Sequence, residues 1–145
     1  MKSLLLMIAI SLLYSCISDD KQNSEINESD NLTKKEAYLK SMAKKNFSLK
    51  NNGACDDALM DTLHERSKAY IESKTLTDSN LIVSFKFKEA CCQEFLGDYE
   101  ITNDTLVYQY EQVNDEICTC MCWYRYKLTI NEPKNSYKSL IIKQK

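Results

Sequence analysis

The sequence predicts a mainly β fold: a small antiparallel β-sandwich, led in by a short helix and stapled by disulfides. Three observations carry this. From residue 68 onward, apolar and polar side chains alternate with a period of two. Asparagine- and aspartate-rich turns separate the alternating runs. Six cysteines, at 55, 91, 92, 118, 120 and 122, lie in or beside those runs.

The chain opens MKSLLLMIAISLLYSC, with Lys2 as a short positive region and Leu4 to Leu13 as an apolar run broken only by Ser11. Such a run is too short for a bilayer core, which takes about 20 residues. It reads as a signal peptide over residues 1–15. Leu13-Tyr14-Ser15-Cys16 resembles a bacterial lipobox, in which an apolar and a small residue precede a cysteine that becomes lipidated; an ordinary secretory signal is the alternative. Setting Cys16 aside turns seven cysteines into six, an even number, as disulfides require.

Ile17-Ser18-Asp19-Asp20-Lys21 resembles the acidic signal that directs Bacteroidota lipoproteins to the cell surface; a plain polar linker is the alternative. The 17 lysines against two arginines, with abundant asparagine, fit an AT-rich source. Residues 16–33 have no apolar period and cannot offset chain entropy by burial, so a flexible tether is expected there. It would give a reach of roughly 22 Å. The formal net charge of −2 offers nothing to a nucleic acid. The expected address is the cell outer membrane, lipid-anchored and facing the surface or periplasm.

Beyond Thr33 roughly 110 residues remain, enough for one domain with one core. Residues 34–66 are expected to form a helical lead-in and 67–145 the sandwich. Thr33-Lys34-Lys35-Glu36 has the capping-box pattern. Behind it Tyr38, Leu39, Met42 and Ala43 share a helical face, predicting a helix over about 34–45. The opposite face carries Lys35, Lys40, Lys44 and Lys45, which suits solvent better than anionic lipid. Asp56 and Asp57 precede Leu59, Met60 and Leu63, so a second short helix over 56–66 is predicted, acids at its start. His64 has no second histidine at ligand spacing and is read as a surface residue.

The strands follow. Leu81, Val83, Phe85 and Phe87 alternate with polar or outward neighbours, as do Leu106, Tyr108 and Tyr110. Tyr99 and Ile101 form a short run. Cys118, Cys120, Cys122, Tyr124, Tyr126, Leu128 and Ile130 keep the same beat. A last strand is expected over 137–142. Strict alternation means half-buried strands. Asp78-Ser79-Asn80, Asn103-Asp104 and Asn131-Glu132-Pro133 mark turns. Several short strands with frequent turns indicate a sandwich of the immunoglobulin or transthyretin kind.

Same-face neighbours on a strand stand about 6.6 Å apart, whereas a disulfide holds its Cβ atoms within about 4.5 Å. Cys118, Cys120 and Cys122 therefore cannot bridge one another in a regular strand, and each looks for a partner among Cys55, Cys91 and Cys92. Cys91 shares the face of Phe85 and Phe87, though a bulge at Glu89 would reverse that. Pairing three early with three late cysteines leaves six connectivities of the 15 that six cysteines allow. A bridge from 91 or 92 to the trio closes about 30 residues, worth roughly 3.5 kcal/mol under the chain-entropy model. The same thiolates would suit zinc or copper(I), but zinc ligand pairs usually sit on a turn, and a strand spaces these cysteines for neighbouring strands. Disulfides are the expectation, with no metal or other cofactor.

Met121, Trp123 and Arg125 lie on the odd face of the same run and form a candidate contact patch; packing of Trp123 under a loop or sheet is the alternative. The sequence contains no glycine-rich phosphate loop, Gly-x-Ser-x-Gly or His-Glu-x-x-His, and no catalytic residue is nominated. Asp61-Thr62-Leu63 and Asp104-Thr105-Leu106 resemble the three-residue pattern on which Bacteroidota attach O-glycans, although Asp104 also reads as a turn residue.

Together, Cys91-Cys92-x-x-Phe95, Asp104-Thr105-Leu106, Tyr110 and Cys118-x-Cys120-x-Cys122-x-Tyr124 resemble a group of small Bacteroidota lipoproteins with no established activity. The resemblance covers roughly residues 80–145 and the signal. It implies an address and a fold class. The expected function is a non-catalytic, disulfide-stabilised binding or structural module, with the membrane as one partner and a glycan or protein as another. The alternative is a thiolate metal-binding lipoprotein.

Overall fold

The computed structural model describes residues 20–53, 55–57, 66, 68–131 and 137–145, and for 20–29, 56 and 57 the backbone alone. The expected signal peptide, Cys16, most of the predicted second helix with His64, Asp61-Thr62-Leu63 and the turn residues Glu132 and Pro133 lie outside the described residues.

One helix and eight strands are described: α1 Asp20–Lys44, β1 Phe47–Asn51, β2 Asp56–Asp57, β3 Tyr70–Leu76, β4 Asn80–Ala90, β5 Phe95–Thr102, β6 Thr105–Gln112, β7 Met121–Asn131 and β8 Ser139–Gln144. They form two sheets. The larger runs β1-β7-β4-β3, with β2 also paired to β7; the smaller runs β5-β6-β8. The protein is an open sandwich, mainly β as the alternation predicts.

The long pair β4–β7 is the spine. It sets Leu81 opposite Ile130, Val83 opposite Leu128, Phe85 opposite Tyr126 and Phe87 opposite Tyr124. Every one of these side chains faces inward and is buried. Phe85 and Phe87 stack on Tyr126 at 6.1 and 5.7 Å between ring centres. Across the core, Phe87 meets Tyr110 of β6 at 4.3 Å and Phe95 of β5 at 4.9 Å. Burying such rings drives closure of the two sheets, each being worth about 2–3 kcal/mol.

Turns follow the Asx chemistry expected of them. Asn103 and Asp104 both take positive φ, 49° and 63°, making the two-residue hairpin between β5 and β6 whose twist matches its strands. Asp104 is thus a turn residue, and its carbonyl accepts from the Lys138 amide at 2.6 Å. Thr77 and Asn80 close the β3–β4 turn, the Asn80 amide donating to Thr77 Oγ1 at 2.9 Å. Asn46, φ 52°, ends α1 in left-handed backbone and turns the chain into β1.

Gly97 sits where β5 passes closest to β6. A Cβ there would strike the Gln109 carbonyl and stand 2.8 Å from Tyr108 Oη. The Tyr108 hydroxyl is buried with no hydrogen-bond partner among the described residues.

Several elements differ from expectation. The helix begins at Asp20, so most of the expected tether is helical: once residues from Asn31 onward dock, adding turns behind them is cheap. Phe47–Asn51, placed in a helical lead-in, is instead an edge strand on β7, with Phe47 in the core. Asp56 and Asp57 are extended and pair with Trp123 and Cys122, where a helix start was expected; the bridge at Cys55 holds them there. β8 runs parallel to β6, a correction to the all-antiparallel expectation. It enters from β7 of the other sheet, so no hairpin dictates its direction.

Candidate functional site

All six nominated bridge cysteines pair, early with late: Cys55 with Cys122, Cys91 with Cys120 and Cys92 with Cys118. Their Cα separations of 5.2, 5.5 and 6.0 Å lie in the ordinary range for a disulfide. This is one of the six connectivities left open by strand geometry. Cys122 behaves as predicted, fully buried on the inward face of β7.

Cys118 and Cys120 do not. β7 starts at Met121, so both lie in the loop that precedes it, half-buried and exposed respectively. Cys91 and Cys92 follow the end of β4 in a turn and therefore do not take opposite faces of a strand. Glu89 is buried 3% exposed and opposite Cys122, with the register unbroken to Ala90, so no bulge intervenes. Its carboxylate meets Arg66 Nε at 2.9 Å.

The result is a cysteine pole at one end of the sandwich. Two disulfides sit side by side, and the sulfurs of Cys91, Cys118 and Cys120 all lie within 4.8 Å of one another. Hydrogen bonds hold the same two segments together independently of sulfur. The Cys91 amide donates to the Cys120 carbonyl at 3.1 Å. Asn114 Nδ2 donates to the Cys92 carbonyl at 3.0 Å, and the Glu94 amide to Asn114 Oδ1 at 2.7 Å. Tyr124 Oη donates to the Ala90 carbonyl at 2.7 Å and accepts from the Gln93 amide at 3.0 Å.

Met121, Trp123 and Arg125 share the outer face of β7, but they do not form an open patch. Trp123 is 8% exposed. Tyr70 of β3 packs edge-on against it at 6.1 Å, and the Lys86 ammonium lies 4.9 Å above its ring. Arg125 Nε lies 3.7 Å from Glu72. The packing alternative describes Trp123; β3 is the cover.

A second cluster was not foreseen. The face of α1 that meets β5 carries Lys34, Tyr38 and Ser41 at helical spacing, Lys45 follows just past the helix end, and acids receive them. Lys34 Nζ and Glu111 are 2.7 Å apart, Lys35 and Glu94 2.7 Å, and Lys45 and Asp98 2.8 Å. Ser41 Oγ donates to Asp98 at 2.8 Å, Tyr38 donates to Glu111, and Lys145 Nζ reaches Glu111 at 3.1 Å. The predicted basic face is therefore split: Lys35 and Lys45 turn to the sheet, Lys40 stays in water and Leu39, expected inward, is 48% exposed. Burial raises the Glu111 carboxyl, but hydrogen bonds from Lys34, Tyr38 and Lys145 outweigh it and bring the pKa down to about 2. Burial, and then the bond to Glu111, push Tyr38 up to about 12. Clefts of 240 and 400 Å³ open beside this seam, with Tyr38, Asp98 and Lys145 in both walls. Acids at outward positions of β5 and β6 opposite lysines of α1 were the available sequence signal.

Among the described residues no helix is long and apolar enough to cross a membrane. Comparison with protein-family models, curated proteins and solved structures finds no match to this chain.

Proposed function

We propose that the protein is an outer-membrane lipoprotein, anchored through acylated Cys16 and displayed at the cell surface, whose folded part is a non-catalytic binding or structural module. The observation that carries this is the pairing of the six other cysteines with one another. Three native bridges in a small domain belong to an oxidising, exported compartment. They account for every cysteine except the one in the lipobox-like Leu13-Tyr14-Ser15-Cys16. The acidic Asp19-Asp20 behind it supports display at the surface. A sandwich pinned at one pole presents its faces and loops rigidly, which suits a glycan or protein partner.

The test is mass spectrometry of the native protein from membranes. Acylation on Cys16, and release of Cys16→Ser into the soluble fraction, are expected. An unmodified N-terminus elsewhere would refute the anchor. Protease added to intact cells should cleave the protein; survival until lysis would leave it facing the periplasm.

A further inference from the structure

We infer that the two neighbouring bridges at the cysteine pole form, when reduced, a four-thiolate site for a soft d10 cation, with Cys91, Cys92, Cys118 and Cys120 as ligands. Three of these sulfurs already lie within 4.8 Å of one another, and Cys92 supplies the fourth through its bond to Cys118. A tetrahedral zinc with Zn–S of about 2.3 Å sets its sulfurs about 3.8 Å apart. Breaking the two bonds frees each pair to spread to that distance, with Cys92, outside the 4.8 Å group, swinging in from beside Cys118.

Reduction does not scatter the ligands, because the segments are clamped by other means. The Cys91–Cys120 backbone bond, the Asn114 side chain reaching both Cys92 and Glu94, and the Tyr124 hydroxyl bonded at Ala90 and Gln93 involve no sulfur. The ligands lie on a turn and a loop, not in a strand. This removes the geometric objection to a metal that a continuous strand would raise. Cys120 is exposed and Cys91, Cys92 and Cys118 half-buried, open to a dithiol reductant; the third bridge joins exposed Cys55 to fully buried Cys122 and supplies no ligand.

Each disulfide takes two electrons and two protons from a dithiol, which leaves as its own disulfide. Two such exchanges give four thiols, and the cation then displaces their protons. The pole thus exists in two states: two staples when oxidised, one metal site when reduced.

The test uses the exported protein and zinc itself. Protein treated with a dithiol, then freed of it anaerobically, is titrated with zinc against a chromophoric chelator while circular dichroism follows the fold. One zinc per reduced chain and none per oxidised chain are expected, with four thiols shielded from alkylation. Cys91→Ser and Cys118→Ser should each weaken binding at least about 100-fold, whereas Cys55→Ser should keep the stoichiometry. Zinc binding that is unchanged in Cys91→Ser and Cys118→Ser overturns the inference. So does a reduced chain that takes up no zinc, or one that unfolds and is not refolded by it.

Discussion

Replacing Glu111 with Gln should loosen α1 from the sheet, and the effect should fade with acid. The native carboxylate gathers Lys34, Tyr38 and Lys145. Its pKa falls from 4.5 to about 2. Taken whole, that drop corresponds to about 3 kcal/mol, at about 1.4 kcal/mol per pH unit. Lys34 and Lys145 keep 38% and 60% of their side chains in water, however, and solvent screening leaves about 1–2 kcal/mol. A depressed carboxyl contributes its stability above the unfolded pKa and loses it as pH falls toward the folded one. The deficit of Glu111→Gln should therefore be full at pH 7, begin to shrink below about pH 4.5 and be largely gone near pH 2. For a domain of this size it amounts to about 4–8 °C in Tm. Thermal melts of both proteins across that range, with hydrogen exchange of α1, measure it. A deficit that stays constant down to pH 2, or none at pH 7, refutes the reasoning.

Other substitutions test other parts of the account. Trp123→Ala should cost about 3 kcal/mol in denaturant unfolding, because it empties the space beneath Tyr70 and Lys86; wild-type stability would return Trp123 to a contact role. Gly97→Ala should cost about 1–3 kcal/mol, since its Cβ meets the Gln109 backbone, which cannot swing away as a side chain would; an unchanged denaturation midpoint would contradict this close approach. The double variant Cys92→Ala/Cys118→Ala releases a sequence separation of 26 residues and should cost roughly 3.5 kcal/mol. A loss below about 1 kcal/mol would show that the hydrogen bonds of Asn114 and Tyr124 already hold the pole.

The β core was legible because alternation records which face of a strand is wet. Leu81 to Phe87 and Tyr124 to Ile130 announce inward faces, and both are inward. Asn103-Asp104 announces its hairpin for the same kind of local reason. What stayed hidden depends on distant partners. Phe47–Asn51 has too few residues to show a period, and it is a strand because β7 offers an edge. Alternation continued through Cys118 and Cys120, although the strand begins only at Met121, since disulfides to a turn hold these two in place of a ladder. The seam of α1 is hidden in the sequence because its inward face is polar: Lys34, Ser41 and, just past the helix, Lys45 are half-buried against acids that lie 53 to 77 residues further along the chain, and a pattern of hydrophobicity does not register complementary charge. The early-to-late pairing was expected from the spacing of a strand that Cys118 and Cys120 do not occupy, so the pairing matches while its premise holds only for Cys122, and the choice among six connectivities needed the positions of the turn and loop.

The claim that the six downstream cysteines are architecture has a direct test. Native protein is alkylated under denaturant without reductant, digested, and its linked peptides are mapped by mass spectrometry. No labelled thiol at positions 55, 91, 92, 118, 120 or 122 is expected, with peptides joined as Cys55–Cys122, Cys91–Cys120 and Cys92–Cys118. Labelled thiols at these positions in the native protein, or Cys55 joined to Cys118 or Cys120, would contradict the account.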